Sequence, residues 1–159
     1  MIFVKRCLQT VLPKELRRIL TDKLFAKFVG VDEAVFAREL YLDAAQLSSM
    51  KRHGMYVGLH GRKHEWLGNM PLDEAIEDIN HSLGYMDSIG LVDKKSWVMC
   101  YPSGSYNKNV LRLLRGGCLA GLTTEVAFAS KNHDKLLLPR LDKTIFRQRA
   151  LLTKTYKLL

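Results

Sequence analysis

The chain has 159 residues, enough for one domain with a real core and short for two, so one domain is expected. An apolar fraction of 47% beside 26% charged residues, with no repeat or low-complexity tract, excludes a disordered chain. The net charge of +9 favours an anionic partner in principle, but it is spread out. Its densest parts are Lys14, Arg17, Arg18, Lys23 and Lys27 near one end and Arg147, Arg149, Lys154 and Lys157 near the other. Without a continuous basic face interleaved with aromatics, a nucleic-acid partner is not expected.

The first residues, Met1 to Leu12, are interrupted by Lys5, Arg6 and Gln9 and make a poor signal peptide. No stretch approaches the roughly 20 apolar residues of a membrane span. Cys7, Cys100 and Cys118 leave an odd thiol, which argues against a disulfide framework. Together these features give the cytoplasm as the expected compartment.

In chain order, Leu16, Ile19, Leu20, Leu24 and Phe28 recur at helical spacing between Pro13 and Gly30. A second helix is predicted from Asp32 with Val35, Phe36 and Leu40 on one face, and a third from Asp43 to Arg52, closed by Gly54. Residues 1–54 thus read as mainly helical, residues 55–142 as a strand-helix core and residues 143–159 as a basic tail or helix. Within the core, Met55 to Leu59 reads as a buried strand ending on His60. Pro71 opens an amphipathic helix with Leu72, Ala75, Ile76, Ile79, Leu83, Met86 and Ile89 inward. Trp97 to Tyr101 is a second strand, Asn107 caps a helix carrying Val110, Leu111 and Leu114, Cys118 to Leu122 is a third strand, and Leu136 to Leu138 a fourth. Alternating strands and helices predict an α/β fold with a parallel sheet or barrel, whose chemistry collects at the C-terminal strand ends.

The residues with chemical potential sit at those ends. His60 and His64 are four residues apart, a pair able to clamp a divalent ion of the Zn, Fe, Ni or Co type. The zinc-protease reading fails because Gly61 stands where those enzymes need a glutamate, and the context is a strand end rather than a helix. The other strand ends carry Pro102 to Tyr106 and Pro139-Arg140.

Taken together, His60-Gly61-Arg62-Lys63-His64, Cys100 to Asn107, Gly121-Leu122-Thr123-Thr124 and Leu138-Pro139-Arg140-Leu141-Asp142 resemble the polysaccharide deacetylases, carbohydrate esterase family 4, over about Met55 to Asp142. The resemblance implies a partial or distorted (β/α) barrel and metal-dependent hydrolysis of acetyl groups on a glycan or glycan precursor, in surface polysaccharide synthesis. It implies His60 and His64 as ligands of a divalent metal, zinc foremost, with Ni, Co or Fe as others. It implies Tyr101, Pro102, Ser103, Gly104 and Tyr106 as substrate contacts, the Ser103 N–H in an oxyanion role, and Arg140 as the arginine that orients the catalytic aspartate; Asp142 is a weaker candidate at the same rim. Two positions depart from the pattern: Cys100 and Ser103 stand where an arginine and an aromatic are usual. The family's adjacent aspartates, base and metal ligand, have no counterpart, for no Asp-Asp pair occurs in the sequence.

Three consequences are expected. The chain is a C-terminal piece of a longer deacetylase, with a non-catalytic carbohydrate-binding or scaffold relative as the alternative. Its partner is an acetylated glycan or sugar precursor. An exposed sheet edge invites pairing with a second copy. His133-Asp134 superficially matches a late family motif but falls before the Pro-Arg segment among polar residues, and reads as loop.

Overall fold

A computed structural model describes residues 2–141, so the basic segment 143–159 and Asp142 lie outside the described residues. The chain divides into two compact units, Met1–Val57 and Gly58–Leu159.

The first unit is helical. Helix α1 (Ile2–Arg6) runs into a π-helical turn over Cys7–Val11, followed by α2 (Lys14–Phe28), α3 (Glu33–Leu40) and α4 (Ala44–Arg52). The boundaries follow local chemistry. Pro13 precedes α2, and Gly30, at φ +69°, supplies the left-handed turn beyond it. The Asp32 carboxylate accepts the Val35 N–H at 3.0 Å to cap α3. Asp43 and Gln46 form a reciprocal capping box on α4, with bonds of 2.7 and 2.9 Å. Phe25 of α2 meets Phe36 of α3 edge to face at 5.5 Å.

The second unit carries the sheet. After helix α5 (Leu72–Ser88), strand β1 (Trp97–Cys100), helix α6 (Lys108–Leu114) and strand β2 (Cys118–Leu122) form one βαβ unit with parallel strands, Met99 opposite Gly121 and Cys100 opposite Leu122. Single parallel bridges extend this pair on both sides: Leu59 to Met99 and Leu138 to Leu122. Four parallel segments therefore lie in chain order, and their C-terminal ends share one rim. Met99, Tyr101, Leu67, Val110 and Leu114 are fully buried beneath that rim. Burial of each such side chain stabilises the unit by roughly 1.5–3 kcal/mol.

Three sequence expectations change. The run Met55 to Leu59 is not a strand: Met55 and Tyr56 are exposed, and only Leu59 pairs, through Leu59 N–H to the Val98 carbonyl and Cys100 N–H to the Leu59 carbonyl. Leu136 to Leu138 is not a strand either. The Asp134 carboxylate accepts the Leu136 N–H at 2.9 Å and turns Lys135–Leu137 into a 3-10 helix, leaving only Leu138 to bridge. The α/β class holds, but the described residues form a two-stranded sheet with bridged flanks and not a closed barrel. Among the described residues no helix is long and apolar enough to cross a membrane.

Candidate functional site

The two histidines leave the Leu59 bridge on an irregular loop, not a helix. His60 Nδ1 lies 2.6 Å from the carbonyl oxygen of Cys100, the last residue of β1. A carbonyl only accepts, so Nδ1 carries the proton, and in the neutral ring Nε2 is left with its lone pair. The His64 ring stands edge-on to that of His60, with centroids 4.7 Å apart and an angle of 67°. His64 itself is left-handed (φ +53°), an uncommon conformation for a side-chain-bearing residue. Both rings are exposed.

The loop between them is held from below. Asp78, in the middle of α5, is 4% exposed, and its two carboxylate oxygens accept the N–H groups of Arg62 (2.8 Å) and Lys63 (3.0 Å). Gly61 has φ +74°, and a Cβ there would lie 2.8 Å from Asp78 Oδ1 and 3.4 Å from Pro102 Cγ. Only glycine fits so close to the carboxylate. Asp78 escaped the sequence reading. The available signal was a charged residue beside Ala75 and Ile79 on the buried stripe of α5, a position that demands a partner.

The loop after β1 sorts the expected substrate residues by depth. Tyr101 is fully buried; its hydroxyl donates to the Leu136 carbonyl at 2.8 Å, and burial pushes the phenol well above its ordinary pKa. Pro102 is buried beside it. Ser103 and Tyr106 are exposed, and Gly104 is half-buried. Ser103 (φ +53°) and Gly104 (φ +70°) are successive left-handed residues that turn the loop sharply. A Cβ on Gly104 would collide with the Thr124 side chain, so the turn packs on the end of β2. Tyr106 leans on the Tyr101 ring, with centroids 5.1 Å apart. The loop is also tied to the turn at Leu67–Asn69, since Gly68 N–H donates to Ser105 Oγ (3.1 Å) and Asn107 Nδ2 donates to the Gly68 carbonyl (2.9 Å).

Arg140 reaches across the strand ends. Its Nε donates to the Thr123 carbonyl at 2.7 Å and its Nη1 approaches Cys100 Sγ at 3.1 Å. Cys100 thereby meets His60 through its carbonyl and Arg140 through its thiol. Among the described ion pairs none involves Arg140. His133 and Asp134 lie away from this chemistry: His133 Nδ1 accepts the Ser130 N–H, and Asp134 caps the 3-10 turn.

The donor set fits a metal in part. His60 Nε2 and the adjacent imidazole of His64 are suitable nitrogen ligands. Yet the described residues hold no group of three or more His, Cys, Asp or Glu able to bind an ion. Two imidazoles alone do not complete the coordination such an ion takes up.

Residues 26–116 match the polysaccharide deacetylase family. The structure is similar to that of the Streptococcus pyogenes deacetylase PplD in complex with acetate, at 29% identity and a TM-score of 0.58, over 63% of this chain. The chain spans 44% of the length of that structure. No match was found among curated proteins. With residues 26–116, more than half of the chain, matched, the chain belongs to the polysaccharide deacetylase family.

Proposed function

We propose that this chain carries the metal-binding and substrate-binding half of a metal-dependent deacetylase, which hydrolyses acetyl groups on a glycan or glycan precursor in surface polysaccharide synthesis. The observation that carries this reading is the hydrogen bond from His60 Nδ1 to the Cys100 carbonyl. It fixes the ring as a carbonyl behind a metal-ligating histidine does, with Nε2 free. When bound, a divalent ion of the zinc type polarises an acetyl carbonyl and acidifies a water.

The chain's own residues do the rest. His60 and His64 would hold the ion. Tyr101 and Pro102, buried, support the turn that presents the Ser103 N–H and the exposed faces of Gly104 and Tyr106 to the sugar. Arg140, fixed to Thr123 and Cys100, holds positive charge at the rim where the family orients its catalytic aspartate. Among the described residues no group of three or more His, Cys, Asp or Glu able to hold an ion is found, and no Asp-Asp pair occurs in the sequence. In this reading carboxylates outside the cluster supply the base and the third ligand. Pairing of two copies through a sheet edge belongs to the same reading, and light scattering on the full chain would show a dimer.

The second reading, a non-catalytic glycan-binding relative, is favoured by the incomplete donor set. One experiment separates them: Zn²⁺ is titrated into the full chain and its His60→Ala variant by calorimetry, and binding of acetylated chito-oligosaccharide is then followed. Stoichiometric Zn²⁺ binding lost in His60→Ala supports the first. Glycan binding without Zn²⁺ binding supports the second and sinks the first.

A further inference from the structure

We infer that Asp78 is a positioning residue that sets the separation of the two imidazoles by gripping the loop that joins them. The inference rests on the reading of His60 and His64 as ligands and extends it to a side chain that touches neither ion nor sugar.

The geometry is specific. Arg62 and Lys63 are two of the three residues between the histidines, and both direct their backbone N–H groups at the one carboxylate, an oxygen each. Two consecutive amides aimed at one anion curl the loop. Gly61 makes the curl possible by its positive φ and by leaving room where a Cβ would sit 2.8 Å from Asp78 Oδ1. The carboxylate is buried, and no described ion pair involves it, so backbone amides satisfy it. A buried carboxylate left unsatisfied is costly, which makes the grip strong in both directions. Asp78 sits on the stripe of α5 that also buries Ala75 and Ile79, so its own position is fixed by the core.

Asparagine cannot replace it. Its side chain offers one acceptor oxygen, and its NH₂ would face the second N–H donor. The loop then gains freedom, and two donors that need a fixed bite lose it. Outer-shell partners of metal ligands alter affinity on the order of 10–100-fold, which sets the expected effect.

The test is a Co²⁺ titration of the full chain and its Asp78→Asn variant, followed by the visible absorption of the bound ion, with amide hydrogen exchange on the metal-free proteins. The expected result is weaker Co²⁺ binding by a factor on the order of 10–100. Faster exchange should accompany it at Arg62 and Lys63 and not at Leu59, whose N–H is held by Val98. Unchanged affinity in folded Asp78→Asn, or unchanged exchange at the two amides, overturns the inference. A merely structural role would lower the melting temperature and quicken exchange at the two amides, but leave the Co²⁺ affinity alone. Should Asp78→Asn fail to fold, Gly61→Ala keeps the buried carboxylate while forcing the loop off it, and must show the same two effects. If the wild-type chain binds no Co²⁺, the ligand reading falls by that result alone, and exchange at Arg62 and Lys63 still decides whether Asp78 holds the loop.

Discussion

His60 Nδ1 donates to the carbonyl oxygen of Cys100 at 2.6 Å, so the last residue of β1 chooses the tautomer of a histidine forty positions earlier in the chain. Nε2 is thereby the nitrogen available to an ion. Two-dimensional ¹⁵N spectra of the metal-free protein should show His60 protonated at Nδ1 when neutral. Zinc should stabilise the wild-type chain by about 2.7 kcal/mol at a hundredfold excess over its dissociation constant. His60→Ala and His64→Ala should each lose at least about 100-fold in affinity, since losing a ligand costs more than losing its outer-shell partner. Equal zinc stabilisation of wild type and His60→Ala, read from melting curves, would contradict the assignment.

Tyr101 makes a stability prediction with a sign. Its hydroxyl is buried and bonded to the Leu136 carbonyl, and burial raises the phenol's pKa above the ordinary value of 10.0. Above that value the unfolded chain releases the proton while the native chain keeps it. The native state then binds more protons, and stability falls as pH rises above about 10. Urea unfolding between neutral and alkaline pH should show this fall, and Tyr101→Phe should flatten it. At neutral pH the same variant should cost about 1–3 kcal/mol, because it leaves the Leu136 carbonyl without that donor. An equally steep alkaline limb in Tyr101→Phe would refute the account.

Much of the fold was legible because it is written in local chemistry. Asp32, Asp43 and Asn107 sit at N-caps and accept the N–H groups their positions predict. The apolar runs Trp97–Cys100 and Cys118–Leu122 are the two strands. The failures are where partners, not letters, decide. Met55 and Tyr56 have apolar character but remain exposed, and of that run only Leu59 joins the sheet, by a bridge to Met99. Leu136 looks like a strand residue, yet Asp134 two positions earlier captures its N–H. In the site, the histidine spacing and the proline turn were visible in the sequence. Asp78 was not, because its role depends on two amides some fifteen residues away, brought there only by the fold of α5 onto the loop.

Gly121, in β2, leaves no room for a side chain. A Cβ there would run into both the Leu136 carbonyl and the Tyr101 hydroxyl, the two ends of one buried hydrogen bond. Gly121→Ala should therefore cost at least about 2 kcal/mol, in the upper part of the range for overpacking. A double variant with Tyr101→Phe should cost less than the sum of the singles, since the second change removes one of the colliding atoms. Strict additivity in denaturant melts would show that the clash is relieved elsewhere.

Asn107 performs two jobs that can be separated. Its Oδ1 accepts the N–H groups of Asn109 (2.9 Å) and Val110 (3.0 Å) at the start of α6, and its Nδ2 donates to the Gly68 carbonyl at 2.9 Å. Asn107→Asp keeps the cap, because aspartate caps as well as asparagine, but it cannot donate to Gly68. Asn107→Ala loses both. The aspartate variant should cost at least about 1 kcal/mol, because a carboxylate oxygen replaces the donor that faces the Gly68 carbonyl, and the alanine variant about 1 kcal/mol for the cap in addition to the lost bond. The two should also differ in where the damage falls. Amide exchange should quicken at Asn109 and Val110 only in the alanine variant. The link between the Leu67–Asn69 turn and the loop after β1 should loosen in both, read from altered Gly68 and Ser105 chemical shifts. If Asn107→Asp left those shifts untouched, the tie between the two loops would rest on the Gly68 N–H to Ser105 bond alone.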